Sequence, residues 1–131
     1  MKSQHVSRVI AATPDRVYAF VADPDNLPRW AAGLAGSEVV HEGSALRVES
    51  PMGPVTVTFV PRNDYGVADH DVRLPSGDVV NNPVRILAHP HGAEIVFTVR
   101  QLDLSDEEFE RDVAAVGADL DTLKRVIEAG A

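Results

Sequence analysis

Between clusters of turn-forming residues the chain alternates apolar and polar positions with the period of two expected of strands. Over 55–60, Val55, Val57 and Phe59 share one face, while Thr56 and Thr58 take the other. Over 68–74, Ala68, His70, Val72 and Leu74 oppose Asp69, Asp71 and Arg73. Over 94–100, Ile95, Phe97 and Val99 oppose Glu94, Thr98 and Arg100. Shorter strands are read at 37–42 and 45–50, and a first strand at 4–11. The turns fall at 42–44, 51–54, 62–66, 75–78 and 89–92, a spacing that suits consecutive hairpins of an antiparallel meander. One apolar and one polar face per strand predicts a sheet covered on one side only.

Two short helices are expected after the first strand. Thr13 is a natural N-cap and Pro14 suits the first helical position. Val17, Phe20 and Val21 then recur at helical spacing, and Asp23-Pro24 repeats the cap-then-proline signal. Leu27, Trp30, Ala31 and Leu34 form one stripe that Gly33 and Gly36 end. At the other end of the chain, Ser105-Asp106-Glu107-Glu108 reads as a capping box with an acidic first turn. Phe109, Val113, Val116, Leu120, Leu123 and Ile127 follow in steps of three and four, which predicts a helix over 105–128 about 36 Å long. Gly117, beside that stripe, weakens the helix locally but leaves room for another element to come close. A long helix with one apolar stripe and a sheet with one apolar face bury each other best if the sheet curves around the helix. A cavity between them is the expected by-product. The fold class is therefore α+β: about seven antiparallel strands, a long C-terminal helix, and a single domain over 1–131.

Composition narrows the chemistry. The 131 residues are 44% hydrophobic and carry a formal net charge of −8, which disfavours nucleic acid and anionic lipid as partners. The absence of cysteine rules out disulfides and thiolate chemistry and fits a reducing, cytoplasmic setting. No stretch approaches a membrane span, and the N-terminal residues have no following apolar run of the signal-peptide kind.

The opening residues Ile10-Ala11-Ala12-Thr13-Pro14-Asp15-Arg16-Val17-Tyr18-Ala19-Phe20-Val21-Ala22-Asp23-Pro24, with Leu27-Pro28-Arg29-Trp30 after them, resemble the START-like or SRPBCC superfamily. The closing Ser105-Asp106-Glu107-Glu108-Phe109 helix is also similar, and the element order resembles the superfamily along essentially the whole chain. The resemblance implies a helix-grip fold with a ligand cavity. It transfers no catalytic residue, since the fold hosts carriers and enzymes alike.

Several residues carry the chemical interest. Trp30, the only tryptophan, is either a rim residue touching ligand or a core anchor for the short helices. His70, on the apolar side of its strand, is either an acid–base or hydrogen-bonding group for a ligand or a satisfied core histidine. Asn81-Asn82-Pro83 interrupts a strand over 78–88, so a bulge or edge is expected there. That bulge either turns Asn82 into the cavity or is a plain distortion with solvated amides. The same proline leaves open which side Arg85 faces: inward toward a ligand carboxylate, or into solvent. His89 and His91 have chelating spacing but no third ligand near in sequence, so no metal is expected, and no cofactor. No nucleophile elbow or phosphate loop is present. Asp69, Asp71, Asp112 and Asp119 read as solvated charges.

Three functions follow in order. The first is a binding module for a small hydrophobic or amphipathic ligand, lined by Leu46, Val48, Val57, Phe59, His70, Val72, Phe97, Val113, Val116 and Leu120, with Trp30 near the entrance. The second is a polyketide cyclase or dehydratase in which His70, with Asn82, moves protons in the same cavity. The third is an interaction domain in which two copies pair, for example on the sheet's outer face.

Overall fold

In the computed structural model, which describes residues 1–31 and 39–131, the element order matches the expected one with two refinements. Strand β1 (Ser3–Ile10) is followed by helix α1 (Pro14–Val21), a 3₁₀ turn (Pro24–Asn26) and helix α2 (Leu27–Trp30). Strands β2 (Val39–Glu42), β3 (Ala45–Ser50), β4 (Gly53–Phe59), β5 (His70–Arg73), β6 (Val79–Asn82), β7 (Val84–His89) and β8 (Gly92–Arg100) lead to helix α3 (Asp106–Glu128). Leu34, Gly33, Gly36 and the start of the strand expected over 37–42 lie outside the described residues.

The first refinement is the strand count. About seven strands were expected and eight are found among the described residues, because the segment over 78–88 divides at Pro83 into β6 and β7. The strands form two curved antiparallel sheets, in the orders β1-β8-β7 and β2-β3-β4-β5-β6. The division is physical. Proline has no N–H to give a ladder, and the strand shifts its partner there. Before it, β6 pairs with β5; after it, β7 pairs with β8. The two sheets stay tied at this kink. Ala68 N donates to Val84 O at 2.9 Å, Ile86 N donates to Gly66 O at 2.9 Å, and Thr98 N donates to Pro83 O at 3.0 Å. Gly66 has to be glycine for this approach: its φ is +69°, and a Cβ would lie 2.4 Å from Ile86 O.

The second refinement is in the second helix, which enters through the 3₁₀ turn and spans Leu27–Trp30. The local signals act as read elsewhere. The Thr13 side chain caps α1 through Arg16 N, and the Asp23 side chain caps the 3₁₀ turn through Asp25 N. Ser105 and Glu108 form both halves of the capping box of α3.

The helix α3 lies along β1 and is tied to it. Arg8 pairs with Asp121 at 2.6 Å, Lys124 Nζ donates to Val9 O at 2.8 Å, and Ala11 N donates to Glu128 at 2.8 Å. Gly117 permits the close approach: a Cβ there would stand 3.1 Å from the Arg8 guanidinium. One apolar cluster joins the inner faces of the sheets to α1, α2 and α3.

Candidate functional site

The register assembles the site. Phe59 on β4 pairs with His70 on β5, and His70 pairs with Asn82 on β6. Cross-strand partners share a face, so these three side chains form one inward row. A second row beside it holds Leu46, Val57 and Val72, paired across β3, β4 and β5, and Val48 stands opposite Val55. Leu46, Val48, Val57 and Val72 are all buried. Asn82 is therefore turned to the apolar side, half-buried, while Asn81 faces outward and donates to Asp71 at 2.9 Å.

His70 is the chemical centre of the row. It is 3% exposed and, with Thr98, one of two buried polar residues among those described. Its Nδ1 lies 3.2 Å from Ala68 O. A carbonyl oxygen only accepts, so Nδ1 carries the proton and Nε2 presents a lone pair. The Asn82 amide nitrogen is 3.5 Å from that lone pair, a long and weak contact. The Phe59 ring sits 4.8 Å from the imidazole and tilted, and the Phe97 ring meets it edge-on at 6.1 Å. Burial pushes the His70 pKa below its ordinary value; the Ala68 carbonyl and the carboxylates of Asp69 and Asp71 oppose this and do not overcome it. The ring is neutral at pH 7.

The site's burial is uneven. On α3, Leu120, Leu123 and Ile127 are fully buried, whereas Val113 and Val116 keep part of their surface exposed. Phe59 and Phe97 are likewise only half-buried. Trp30 is 3% exposed and belongs to the core, as the anchor alternative has it, but its indole Nε1 is buried with no hydrogen-bond partner among the described residues.

Of the two sides left open for Arg85, the solvent side is the one found: there it forms a two-point ion pair with Asp69, Nε to Oδ1 at 2.9 Å and Nη2 to Oδ2 at 2.8 Å. Other expectations are corrected. Asp69 is thus not a solvated charge. Its Oδ1 also takes the Val84 N–H at 2.9 Å, the amide that follows Pro83, and the Arg85 contact holds its carboxyl below the usual range. Thr98, expected on the wet face, is buried and bonded to His5 Nδ1 at 2.8 Å. Asp119 is half-buried rather than solvated, and Asp112, though exposed, has its pKa raised by partial burial. No sequence pattern marks Asp69 as the brace of the kink; its signal is only visible once Pro83 is placed opposite it. His89 and His91 stack on each other at 5.6 Å at the hairpin, and no cluster able to hold a metal exists among the described residues.

Two open grooves lie away from this row. One, of about 560 Å³, runs between β1 and α3 from Gln4 to Asp121 and shares only Val113 with the expected lining. The other, of about 660 Å³, lies between α1 and the 61–66 loop and is lined by Tyr18, Arg62 and Tyr65 among others. Among the described residues no helix is long and apolar enough to cross a membrane.

Comparison with known proteins agrees with this architecture. The family described as polyketide cyclase/dehydrase and lipid transport matches residues 1–128. No curated protein sequence matches the chain. Solved structures do. The Aha1 dimer from Colwellia psychrerythraea is 14% identical, with a TM-score of 0.77 over 99% of this chain and 98% of that one. DynU16, from the dynemicin biosynthetic locus, is 15% identical with a TM-score of 0.76 over 99% of this chain and 48% of that one. XoxI from Bacillus cereus is 13% identical with a TM-score of 0.75 over 96% and 95%. At such identities the likeness speaks for the fold alone.

Proposed function

The chain belongs to the polyketide cyclase/dehydrase and lipid-transport family, and from that premise we propose that it binds a small hydrophobic or amphipathic molecule, lipid or polyketide-like, between its curved sheets and α3. The observation that carries this reading is the uneven burial. Phe59 and Phe97, whose rings flank the buried His70, and Val116 on the apolar stripe of α3 pack against the core yet keep accessible surface. A core packed only for stability would close over such residues, because each apolar Å² left wet forfeits about 25 cal/mol. The ligand supplies that missing surface at Phe59, Phe97 and Val116, above the buried rows of Leu46, Val48, Val57 and Val72. Trp30 adds a polar handle, since its indole N–H, which has no partner among the described residues, would be satisfied by a ligand oxygen. DynU16, similar in fold, comes from a biosynthetic locus, and a cytoplasmic carrier or modifier of a biosynthetic intermediate fits the same cavity.

Nile red, an uncharged apolar dye, tests this. Saturable fluorescence enhancement, reversed by lipids or by polyketide-like aromatics, is expected. Absence of saturable binding overturns the reading.

One observation favours a second reading, a cyclase or dehydratase working in the same space. The Nε2 lone pair of His70 is unprotonated, buried and only weakly engaged by Asn82, as a general base would be. His70→Ala would then abolish turnover of a polyketide-like substrate while leaving Nile red bound; equal loss of both marks the histidine as structural. Pairing of two copies, as in the Colwellia dimer, is read separately by light scattering over a concentration series.

A further inference from the structure

The inner row specifies more than an apolar guest. His70 Nε2 is an acceptor, because Nδ1 spends its proton on Ala68 O. Beside it, 3.5 Å away, Asn82 presents an amide N–H that no closer acceptor engages. An acceptor and a donor thus stand next to each other, between the half-buried rings of Phe59 and Phe97. From this juxtaposition, and resting on the cavity reading above, we infer that His70 and Asn82 are specificity-determining residues that read a hydroxyl group on an uncharged ligand.

The complementarity is particular to that group. A hydroxyl can donate its O–H to His70 Nε2 and accept from Asn82 Nδ2 with the same oxygen. A ketone or an ether can only accept: it can engage Asn82, but it sets an oxygen lone pair against the histidine lone pair. A carboxylate does the same with a full negative charge. No cation relieves it, since His70 and Thr98 are the only buried polar or charged residues among those described. Every described Lys and Arg is half-buried or exposed, and the Arg85 guanidinium is committed to Asp69 on the outer side. Protonating His70 to receive an anion is opposed by its burial. The half-buried aromatic rings of Phe59 and Phe97 beside the pair favour a ring that carries the hydroxyl, so a phenol or cyclic alcohol is the fitting class.

The test compares 2-naphthol, 2-methoxynaphthalene and 2-naphthoate at pH 7, each by calorimetry and by displacement of Nile red. The naphthol is expected to bind about fivefold to tenfold tighter than its methyl ether, the loss expected from one unmade buried hydrogen bond. The naphthoate is expected to bind weakest. In His70→Phe the advantage of naphthol over the ether should vanish, because the acceptor is gone while an aromatic ring remains. A long-range proton–nitrogen spectrum of the unsubstituted protein should show Nε2 without a proton, and its resonance should move when naphthol is added; this readout holds even if the variant does not fold. Equal affinity for naphthol and ether, tightest binding of naphthoate, or a proton found on Nε2 overturns the assignment. So does failure of all three naphthalenes where Nile red still binds. Failure of Nile red as well overturns the cavity itself.

Discussion

The apolar stripe of α3 is sealed unevenly: Phe109 near its start and Leu120, Leu123 and Ile127 toward its end are buried, while the stretch of Val113 and Val116 between them is not. Toward the C-terminus, Leu120, Leu123 and Ile127 have no exposure, and they belong to the same core cluster as the fully buried Ile10 and Ile95. Polar links close that end: Arg16 donates to Ile127 O at 2.9 Å and to Ala131 O at 3.0 Å, and Glu128 takes Ala11 N. Further toward the N-terminus, Val113 and Val116 are left part-exposed, as are Phe59 and Phe97 on the sheets. The C-terminal stretch of the interface holds the fold together, and the stretch around Val113 and Val116 is packed less completely. The difference teaches that unfilled space need not be inherited from a weak fold. It can be placed along one stretch while another supplies the stability.

If that division is right, substitutions of similar chemistry must have very different costs in the two stretches. The largest effect is expected at Leu123. Truncation to alanine in the sealed stretch should cost about 2–5 kcal/mol, since a fully buried leucine leaves a cavity that its neighbours fill only in part. Urea denaturation followed by far-ultraviolet circular dichroism measures this. A cost below about 1 kcal/mol would mean that the sealed end is not sealed.

The kink between the two sheets is the next place to press. Asp69 takes the Val84 N–H and both ends of the Arg85 guanidinium. Its side chain is 17% exposed and that of Arg85 51%, so most of the expected loss comes from the orphaned amide rather than from the solvent-screened ion pair. Asp69→Ala should cost about 1–3 kcal/mol, and Arg85→Ala clearly less. If both substitutions cost the same, the ion pair and not the amide brace holds the kink.

How much of this could be read from the sequence depends on the range of the signal. The strand faces, the caps at Thr13, Asp23 and Ser105, and the long helical stripe were legible because each is a local pattern with its own period or spacing. Pro83 was legible as a break, and it is one. What was not legible is pairwise and distant. Nothing local says that Asp69 will meet Val84 and Arg85, that Thr98 will be covered and bonded to His5, or that Asn82 lands beside His70. Those depend on register between strands, which the hairpin lengths set only after the kink is in place. Local pattern placed Val113, Val116 and Leu120 on one stripe but could not say that the first two stay part-exposed while the third is sealed.

Acid sharpens the comparison from the open side. The folded pKa of His70 lies below its ordinary value of 6.5, chiefly through burial, so the unfolded chain binds this proton more readily than the folded one. Stability is therefore at its full value above about pH 6.5 and falls as pH drops toward the folded pKa, by at most about 1.4 kcal/mol per pH unit. Asp69, whose pKa is lowered, contributes its own loss only further into acid, below the ordinary carboxylate value of 3.8. In His70→Phe the upper limb of this decline, which begins as pH falls below about 6.5, should flatten, as read from urea midpoints at each pH. A limb unchanged by the substitution would assign it to other groups and place His70 in contact with water.

The smallest stability effect, and the one that separates the two stretches most cleanly, is expected at Val116. Its apolar surface is already part-exposed, so truncation to alanine forfeits only a fraction of the burial that a sealed valine would, below about 1 kcal/mol. Enlargement is more telling. Val116→Phe adds bulk where the interface leaves room, so the urea midpoint should stay close to that of the parent protein. In the sealed stretch, Ile127→Phe has no such room and should lose about 1–3 kcal/mol through overpacking. The same Val116→Phe substitution should abolish Nile red binding, because the new ring takes the volume meant for the guest. Stability kept and binding lost at 116, with stability lost at 127, is the pattern a half-filled grip requires. If Val116→Phe is as costly as Ile127→Phe, the interior near His70 is as tightly packed as the rest, and the exposure of Val113 and Val116 belongs to the outer surface of the helix instead.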